Sequence, residues 1–401
     1  MTTEFARRIA ITIGALLVYR LGCQIPVAGV AIHSGLATDR IALLSIFSLS
    51  LVPYLTAAII VQLVAVVWRR LRALERSGEV GRRKFARITL ALTLLLAAFQ
   101  AFGIAFAMQH MPGLVVADPG DWFVLTATAS LVGGVFFLVW LSEQITRHGI
   151  GNGLALILSV GILASLPSEA ATLLSQLRRG AISGNLLLGS TIFLVVLVAL
   201  IVFIECARRN VPVQFVARRI GERTLPSSSA VLPIKINSAG YLLPVTVAPW
   251  MISLPLAFAG FIFGADAPWL ETIEAHLQFG EQAHIVLGSI VVFALAFVYT
   301  AFVVDPDHAA ESLVRLGGVI PSVMPGEATA TYLDRVVSSI TVVGAAYLTG
   351  ISLIPEMFLA YGNGLHYKIG GGAALIVICT ILDLQTQVRD VSLTNPGGVR
   401  R

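Results

Sequence analysis

Ten apolar runs, separated by polar or charged connectors, account for most of the chain: residues 9–19, 41–68, 88–107, 122–142, 149–168, 185–204, 236–265, 285–304, 336–355 and 369–382. A helix of ~20 apolar residues crosses a bilayer, so the pattern predicts a polytopic membrane protein. An even number of crossings puts both ends of the chain on one side. The second run is unusual. From Ser45 to Val67 it holds Pro53, which predicts a kink, and it carries the hydroxyls Ser45, Ser48, Ser50 and Thr56 together with Gln62. Polar groups at that depth predict a helix that faces protein or water on one side.

Two connectors depart from the short polar links expected of a helical bundle. Arg208 to Lys235 and Asp305 to Arg335 are long, and long ordered loops are usually functional. The first suits a hairpin-like projection, rich enough in cations (Arg208, Arg209, Arg218, Arg219, Arg223, Lys235) to meet an anionic partner. A loop that only fixes topology explains the same residues. The fifth run opens with Gly149-Ile-Gly-Asn-Gly153. No strand precedes it and no G-x-G-x-x-G is completed, so its glycines are read as sites where backbones approach closely.

Composition agrees with the hydropathy pattern. Of the residues, 57% are hydrophobic and only 12% charged, against roughly 25% charged in soluble domains. The charges are also sorted. Of 27 lysines and arginines, Arg40, Arg178, Arg179 and Lys368 fall in one set of loops and Arg20 ends the first run; all the others lie on the opposite side with both termini. By the positive-inside rule that side is cytoplasmic. The net charge of +5 follows from this sorting and is no argument for nucleic acid.

Enzymatic signatures are missing. The sequence holds no H-E-x-x-H, G-x-S-x-G or Walker A motif and no intramembrane aspartate pair. Cys23, Cys206 and Cys379 have no metal-ligand or disulfide spacing. None of the histidines falls clearly within a run, and Asp383 is almost the only carboxylate embedded in one. Carriers and pumps need ionisable groups near the bilayer midplane, which weighs against them.

The motifs, taken together and in order, resemble the SecY family, the channel subunits of the bacterial preprotein translocase. They are Arg20-Leu-Gly22 with Ile25-Pro26; Ser45-Ile-Phe47 with Pro53-Tyr54 and Gln62-Leu63; Gly78-Glu79 with Gly81-Arg-Arg-Lys84; and Trp140-Leu141. They continue with Glu143-Gln-Ile-Thr146, Gly149 to Gly153, Leu232-Pro233 with Lys235 and Asn237, Tyr299-Thr-Ala301, Pro325-Gly-Glu327, Tyr332-Leu-Asp334, Leu353-Ile-Pro-Glu356 and Gly370-Gly371. The resemblance runs from Arg7 to about Val388.

The resemblance implies an all-α polytopic membrane protein of ten transmembrane helices. Its two five-helix halves, 1–180 and 181–401, are related by an inverted pseudo-twofold axis, with cytoplasmic loops 206–236 and 305–335 in the second. It implies a protein-conducting channel in the bacterial cytoplasmic membrane, with both termini cytoplasmic, no enzymatic activity and no cofactor. The pore ring maps to Leu51, Leu55, Leu154, Leu158, Val245 and Ile376, and the lateral gate to Ser48, Thr56, Gln62 and Asn237. Partner docking maps to the cations of 208–235 and to Arg315. The implied partners are the small membrane subunits SecE and SecG, the SecA motor ATPase or the ribosome, signal sequences of preproteins, and membrane lipids.

The chain departs from the family in three places. The connector from Val30 to Ser45 is shorter by roughly a score of residues, a deletion on the scale of an Ω-loop, which leaves only a reduced plug within about 31–44. Met324 stands where the family has an arginine before Pro-Gly-Glu, and Glu222 interrupts a basic loop. An apolar side chain cannot replace a bidentate cation, so motor and ribosome coupling are expected to be weaker than the pore itself suggests. Two other readings stay open at this point: a secondary transporter of small solutes, and a non-conducting translocon-like scaffold.

Overall fold

The computed structural model describes residues 2–31, 45–110, 115–116, 120–180, 182–215, 218–220, 223–225, 228–264, 267–278, 280–361 and 370–393. Each apolar run overlaps a helix among the described residues. In chain order the elements are α1 (Thr2–Gly22), β1 (Val30–Ala31), α2 (Val52–Val67), α3 (Arg69–Arg76), α4 (Gly78–His110), β2 (Val115–Val116), α5 (Asp121–His148), α6 (Gly153–Arg178) and α7 (Gly184–Cys206). Then come β3 (Arg208–Phe215), β4 (Arg218–Ile220), β5 (Arg223–Leu225), β6 (Ser228–Lys235), α8 (Leu242–Phe263), α9 (Pro268–His276), α10 (Gln282–Val303), α11 (Pro306–Leu316), β7 (Gly318–Val319), α12 (Glu327–Tyr361) and α13 (Gly371–Leu393). Among the described residues eight helices are long and apolar enough to cross a membrane, and α2 is a shorter apolar helix. The fold is all-α and polytopic, as the hydropathy pattern predicts. Packing groups the chain into two compact units, Met1–Leu188 with Ala373–Arg401, and Gly189–Gly372.

In the first unit α4 lies against α5 and α2, and α5 against α1 and α6. Lipid tails are as apolar as leucine, so helices in a membrane associate by close packing rather than by escape from water. The sequence meets this need with Ala97, Ala101 and Ala105, four residues apart and each fully buried, which form one narrow stripe of α4 against Phe123, Ala127 and Leu131 of α5. Phe47 organises the neighbouring core. Its ring lies against Gly22, where any Cβ would overlap it, and between the rings of Tyr19 (centroids 6.1 Å) and Phe137 (5.8 Å). That contact explains why Arg20-Leu-Gly22 and Ser45-Ile-Phe47 belong together.

The kink predicted at Pro53 is corrected. Residues 45–51 form turns, with Ser48 N donating to Ser45 O at 3.0 Å and Ser50 N to Phe47 O at 2.8 Å, and α2 starts only at Val52. Pro53 therefore occupies the first turn, where its missing N–H has no carbonyl to serve and its fixed φ suits the helix. It starts the helix instead of bending it.

In the second unit α10 packs on α12 and α8. The long connector after α7 is a hairpin, as predicted: β3 pairs antiparallel with β6 from Arg208↔Lys235 to Phe215↔Ser228, and β4 pairs with β5 beyond it. β3 also pairs with β7 through Gln214↔Val319 and Phe215↔Gly318. Along β3 the side chains alternate, so Val211 and Val213 are buried while Asn210, Pro212 and Gln214 are exposed. The buried set meets Leu313, Ile320, Leu333, Val336 and Ile340. The residues from Asp305 to Arg335 are thus a helix and a strand that seat the hairpin. Gly317, at φ 75°, lets α11 turn directly into β7.

Candidate functional site

Polar contacts at two levels position α6, which carries Leu154 and Leu158. The turn from Gly149 to Gly153 has four amides capped by side-chain oxygens: Ile150 N donates to Thr12 Oγ1 (2.9 Å), Gly151 N to Gln387 Oε1 (2.8 Å), Gly153 N to Thr146 Oγ1 (2.9 Å) and Leu154 N to Asn152 Oδ1 (3.1 Å). Gly153 N and Leu154 N are amides that a helix start leaves without partners, and Ile150 N and Gly151 N belong to the turn that leads into it. The glycines permit the approach, as the sequence spacing predicts: a Cβ at Gly149 would meet Thr12 Oγ1, and one at Gly153 the backbone of Ser142, while Gly151 has φ 87°. Further along, Ser159 Oγ donates to Thr380 Oγ1 at 2.8 Å, and Thr380 Oγ1 donates to Ile376 O at 2.6 Å.

Five of the six ring residues belong to the first unit. Leu51 is fully buried in a core with Tyr19, Phe47, Leu141, Leu156 and Ile157, against which Leu154 and Leu158 pack half-buried. Leu55 is buried one turn after Leu51, its N–H donating to Leu51 O at 3.0 Å. Ile376 is buried and lies in the hydroxyl chain from Ser159. Val245 is in the second unit, where its Cγ1 leaves no room for a Cβ at Gly372 in the first turn of α13. The structure therefore brings Leu51, Leu154 and Leu158 into one cluster and places Ile376 next to the helix that bears them.

The residues assigned to the gate share a different property. Ser48 Oγ, Thr56 Oγ1, Gln62 Oε1 and Asn237 Oδ1 are buried, and among the described residues none has a hydrogen-bond partner. Asn237 uses only its Nδ2, which donates to Glu205 Oε1 at 2.8 Å. Many hydroxyls elsewhere are satisfied by the carbonyl four residues back, as Thr93 is by Thr89 O at 2.8 Å, although Thr128 Oγ1 of α5 and Thr349 Oγ1 of α12 are also buried and unpartnered among the described residues. An orphaned polar atom costs ~1–3 kcal/mol, so four of them in the assigned set call for a functional explanation. Sequence reasoning missed Thr246 of α8, whose Oγ1 is likewise buried and unpartnered among the described residues. Pro249, in the same helix, has no N–H to offer the carbonyl of Val245.

Of the docking cations, Arg208, Arg209 and Lys235 are exposed, and Arg208 stands directly opposite Lys235. Like charges in that register repel, and an anion between them removes the penalty. Arg218 and Arg219 lie on β4 and Arg223 on β5. Arg315 is exposed on α11 and donates to Glu311 Oε1 at 2.7 Å. This hydrogen bond, reinforced by the guanidinium charge, holds the Glu311 carboxyl below its usual range. Met324 is 78% exposed. Glu222 and the reduced plug from residue 32 to 44 lie outside the described residues.

One buried pair escaped the hydropathy reading, which counted Asp383 as almost the only embedded carboxylate. Glu356, 4% exposed near the end of α12, faces His284 Nδ1 of α10 and accepts from Gly280 N at 3.1 Å. Both residues sit at the edge of an apolar run, so a search for charges within runs passes over them.

The SecY family model matches residues 45–385. The protein translocase subunit SecY of Escherichia coli K12 is 37% identical over 415 aligned residues, covering 98% of this chain and 93% of that protein. The same subunit from Vibrio cholerae is 35% identical, with 96% and 91% covered. Among solved structures, one described as a protein conducting channel superposes with a TM-score of 0.71 at 17% identity, covering 99% of this chain and 95% of the other. Sec61 in a canine ribosome-channel complex from the endoplasmic reticulum gives 0.66 at 16% identity, with the same coverage.

Proposed function

The chain belongs to the SecY family, and from that membership we infer a channel subunit through which preproteins cross a membrane and release apolar segments into it. The observation that carries this reading is the 37% identity over nearly the whole chain.

The constriction is the ring of Leu51, Leu55, Leu154, Leu158, Val245 and Ile376. Aliphatic side chains offer water no hydrogen bonds, so a narrow ring of them dewets and stops ions, yet it yields to a peptide. The burial of Leu51 beside Leu154 and Leu158 supports this assignment. The lateral gate runs along Ser48, Thr56 and Gln62 on one side and Asn237 on the other, with Thr246 added. Their orphaned polar atoms support it, because water or the backbone of a passing segment supplies the missing partners when the seam parts. An apolar segment then leaves for lipid, each Leu, Ile, Phe or Val favouring the bilayer by roughly 0.3–0.6 kcal/mol at mid-helix.

The halves divide near residue 180, the basic loops and both termini are cytoplasmic, and the membrane is a bacterial inner membrane. SecE and SecG stand beside the channel. SecA or the ribosome docks on the hairpin cations and Arg315, with coupling weakened at Met324. The channel performs no catalysis of its own.

The ring is tested by arresting a preprotein that carries one cysteine inside the channel of a Leu158→Cys variant. Disulfide formation with the arrested chain is expected. Its absence, with a crosslink appearing instead from a lipid-facing position such as Leu188, would overturn the assignment.

A further inference from the structure

The fifth and last apolar helices of the first unit, α6 and α13, are joined in their buried interior by a pair of hydroxyls. Ser159 is 4% exposed and Thr380 is 3% exposed. Ser159 Oγ donates to Thr380 Oγ1 at 2.8 Å, and the Thr380 hydroxyl proton goes to Ile376 O at 2.6 Å. Ser159 Oγ also lies 3.4 Å from Ile376 O. The chain of donors has a direction and leaves neither hydroxyl proton unused.

Its place is what gives it meaning. Ser159 follows Leu158 directly, and Thr380 stands one turn beyond Ile376. The pair therefore fixes the separation of the two helices at the height of two ring side chains, and the lower end of α6 is fixed again by Thr12 and Gln387 at the glycine turn. Between these fixings lies the segment from Leu154 to Leu158. Aliphatic contacts alone are non-directional and let one helix slide on another; a hydrogen bond in an apolar interior does not, since the alternative to making it is an orphaned hydroxyl.

We propose that Ser159 and Thr380 are positioning residues of the channel: their hydroxyl pair holds α6 to α13 so that Leu158 and Ile376 meet in the idle ring. The inference rests on the ring assignment made above. Removing the pair loosens the closed arrangement without touching the ring side chains. Interhelical hydroxyl bonds in membranes change such equilibria by about threefold to fifteenfold.

The test uses the full chain assembled with its native small subunits in planar bilayers, with idle ion conductance as one readout and export of a reporter with a defective signal sequence as the other. Ser159→Ala, Thr380→Val and the double variant are each expected to raise both severalfold, the double no more than the larger single. Thr380→Ser, which keeps the hydroxyl, is expected to stay at the parental level. Leu158→Asn separates the two readings. If it raises conductance and the hydroxyl variants do not, the positioning role is wrong and the ring stands. If it leaves conductance unchanged, the ring itself fails. Assembly with the small subunits and the thermal midpoint are measured for every variant. A rise in conductance found only in variants that lose assembly, or equal in Thr380→Ser and Thr380→Val, would overturn the proposal.

Discussion

Replacing Gly153 by alanine sets two physical effects against each other. Helix propensity favours alanine over glycine by up to ~1 kcal/mol, so on local grounds the change stabilises α6. The structure predicts the reverse. A Cβ on Gly153 would lie 2.7 Å from the carbonyl carbon of Ser142 and 2.8 Å from its Cα, inside the 3.0 Å that real Cβ contacts respect, and its nearest neighbour is the Ser142 carbonyl oxygen. Backbone atoms cannot swing aside as a long side chain can, so α6 must move away from α5. Forced displacements of this kind cost about 1–3 kcal/mol. The same movement stretches the 2.9 Å bond from Gly153 N to Thr146 Oγ1, worth about 1 kcal/mol. The net expectation is a loss of about 1–3 kcal/mol, read as a lowered thermal midpoint of the purified protein in lipid nanodiscs. Gly103→Ala is the control, since nothing lies within 4 Å of a Cβ at that position in α4, and its midpoint is expected to hold or rise. A Gly153→Ala protein as stable as the parent would refute the claim that close backbone approach fixes this turn.

Other outcomes follow from the same structure. Charge reversal at Arg208 and Lys235 should leave the fold intact, because both are exposed, while weakening binding to an anionic docking partner and flattening its salt dependence; solution-binding titrations at two ionic strengths check this. Val213→Ala, in the core that seats the hairpin, should cost about 1.5–3 kcal/mol, from two buried carbons at about 0.8 kcal/mol each plus the cavity they leave, and raise protease cleavage between β3 and β6. Because the Arg315 bond depresses the Glu311 carboxyl, the contribution of that pair is complete above the ordinary carboxylate range and is lost as pH falls through the lowered value. A carboxyl NMR titration should find Glu311 low in the parent and returned to its usual range in Arg315→Gln. Restoring a cation with Met324→Arg should increase SecA-driven transport in a reconstituted assay; no gain would remove Met324 as the reason for weak coupling.

The helices were legible in the sequence because membrane spans obey a simple rule: every backbone group must be satisfied within the segment, so an apolar run of sufficient length is a helix. The hairpin from Arg208 to Lys235 was legible as a long, cation-rich connector, whereas the alternation that buries Val211 and Val213 came only with the structure. The glycine turn was legible as close approach, though not which side chains cap it, since Thr12 and Gln387 come from opposite ends of the chain. The kink expected at Pro53 fails because the effect of a proline depends on where the helix starts, and the turns of 45–51 delay that start to Val52, which hydropathy does not mark. The pairing of Glu356 with His284 is hidden for a similar reason: each looks like the polar end of its run, and only packing of α10 on α12 brings them together. The ring residues are the extreme case. Aliphatic pairs four residues apart recur throughout so apolar a chain, and periodicity has no means of choosing Leu51 and Leu154 from among them.

The central claim, that this chain conducts preproteins, is tested most directly by producing it in cells depleted of their own translocon and measuring secretion of a reporter with an intact signal sequence. Secretion is expected to be restored, and Gly153→Ala is expected to restore it less well. Membrane-inserted, stable protein that leaves secretion at the depleted level, even with its native small subunits and motor supplied, would contradict it.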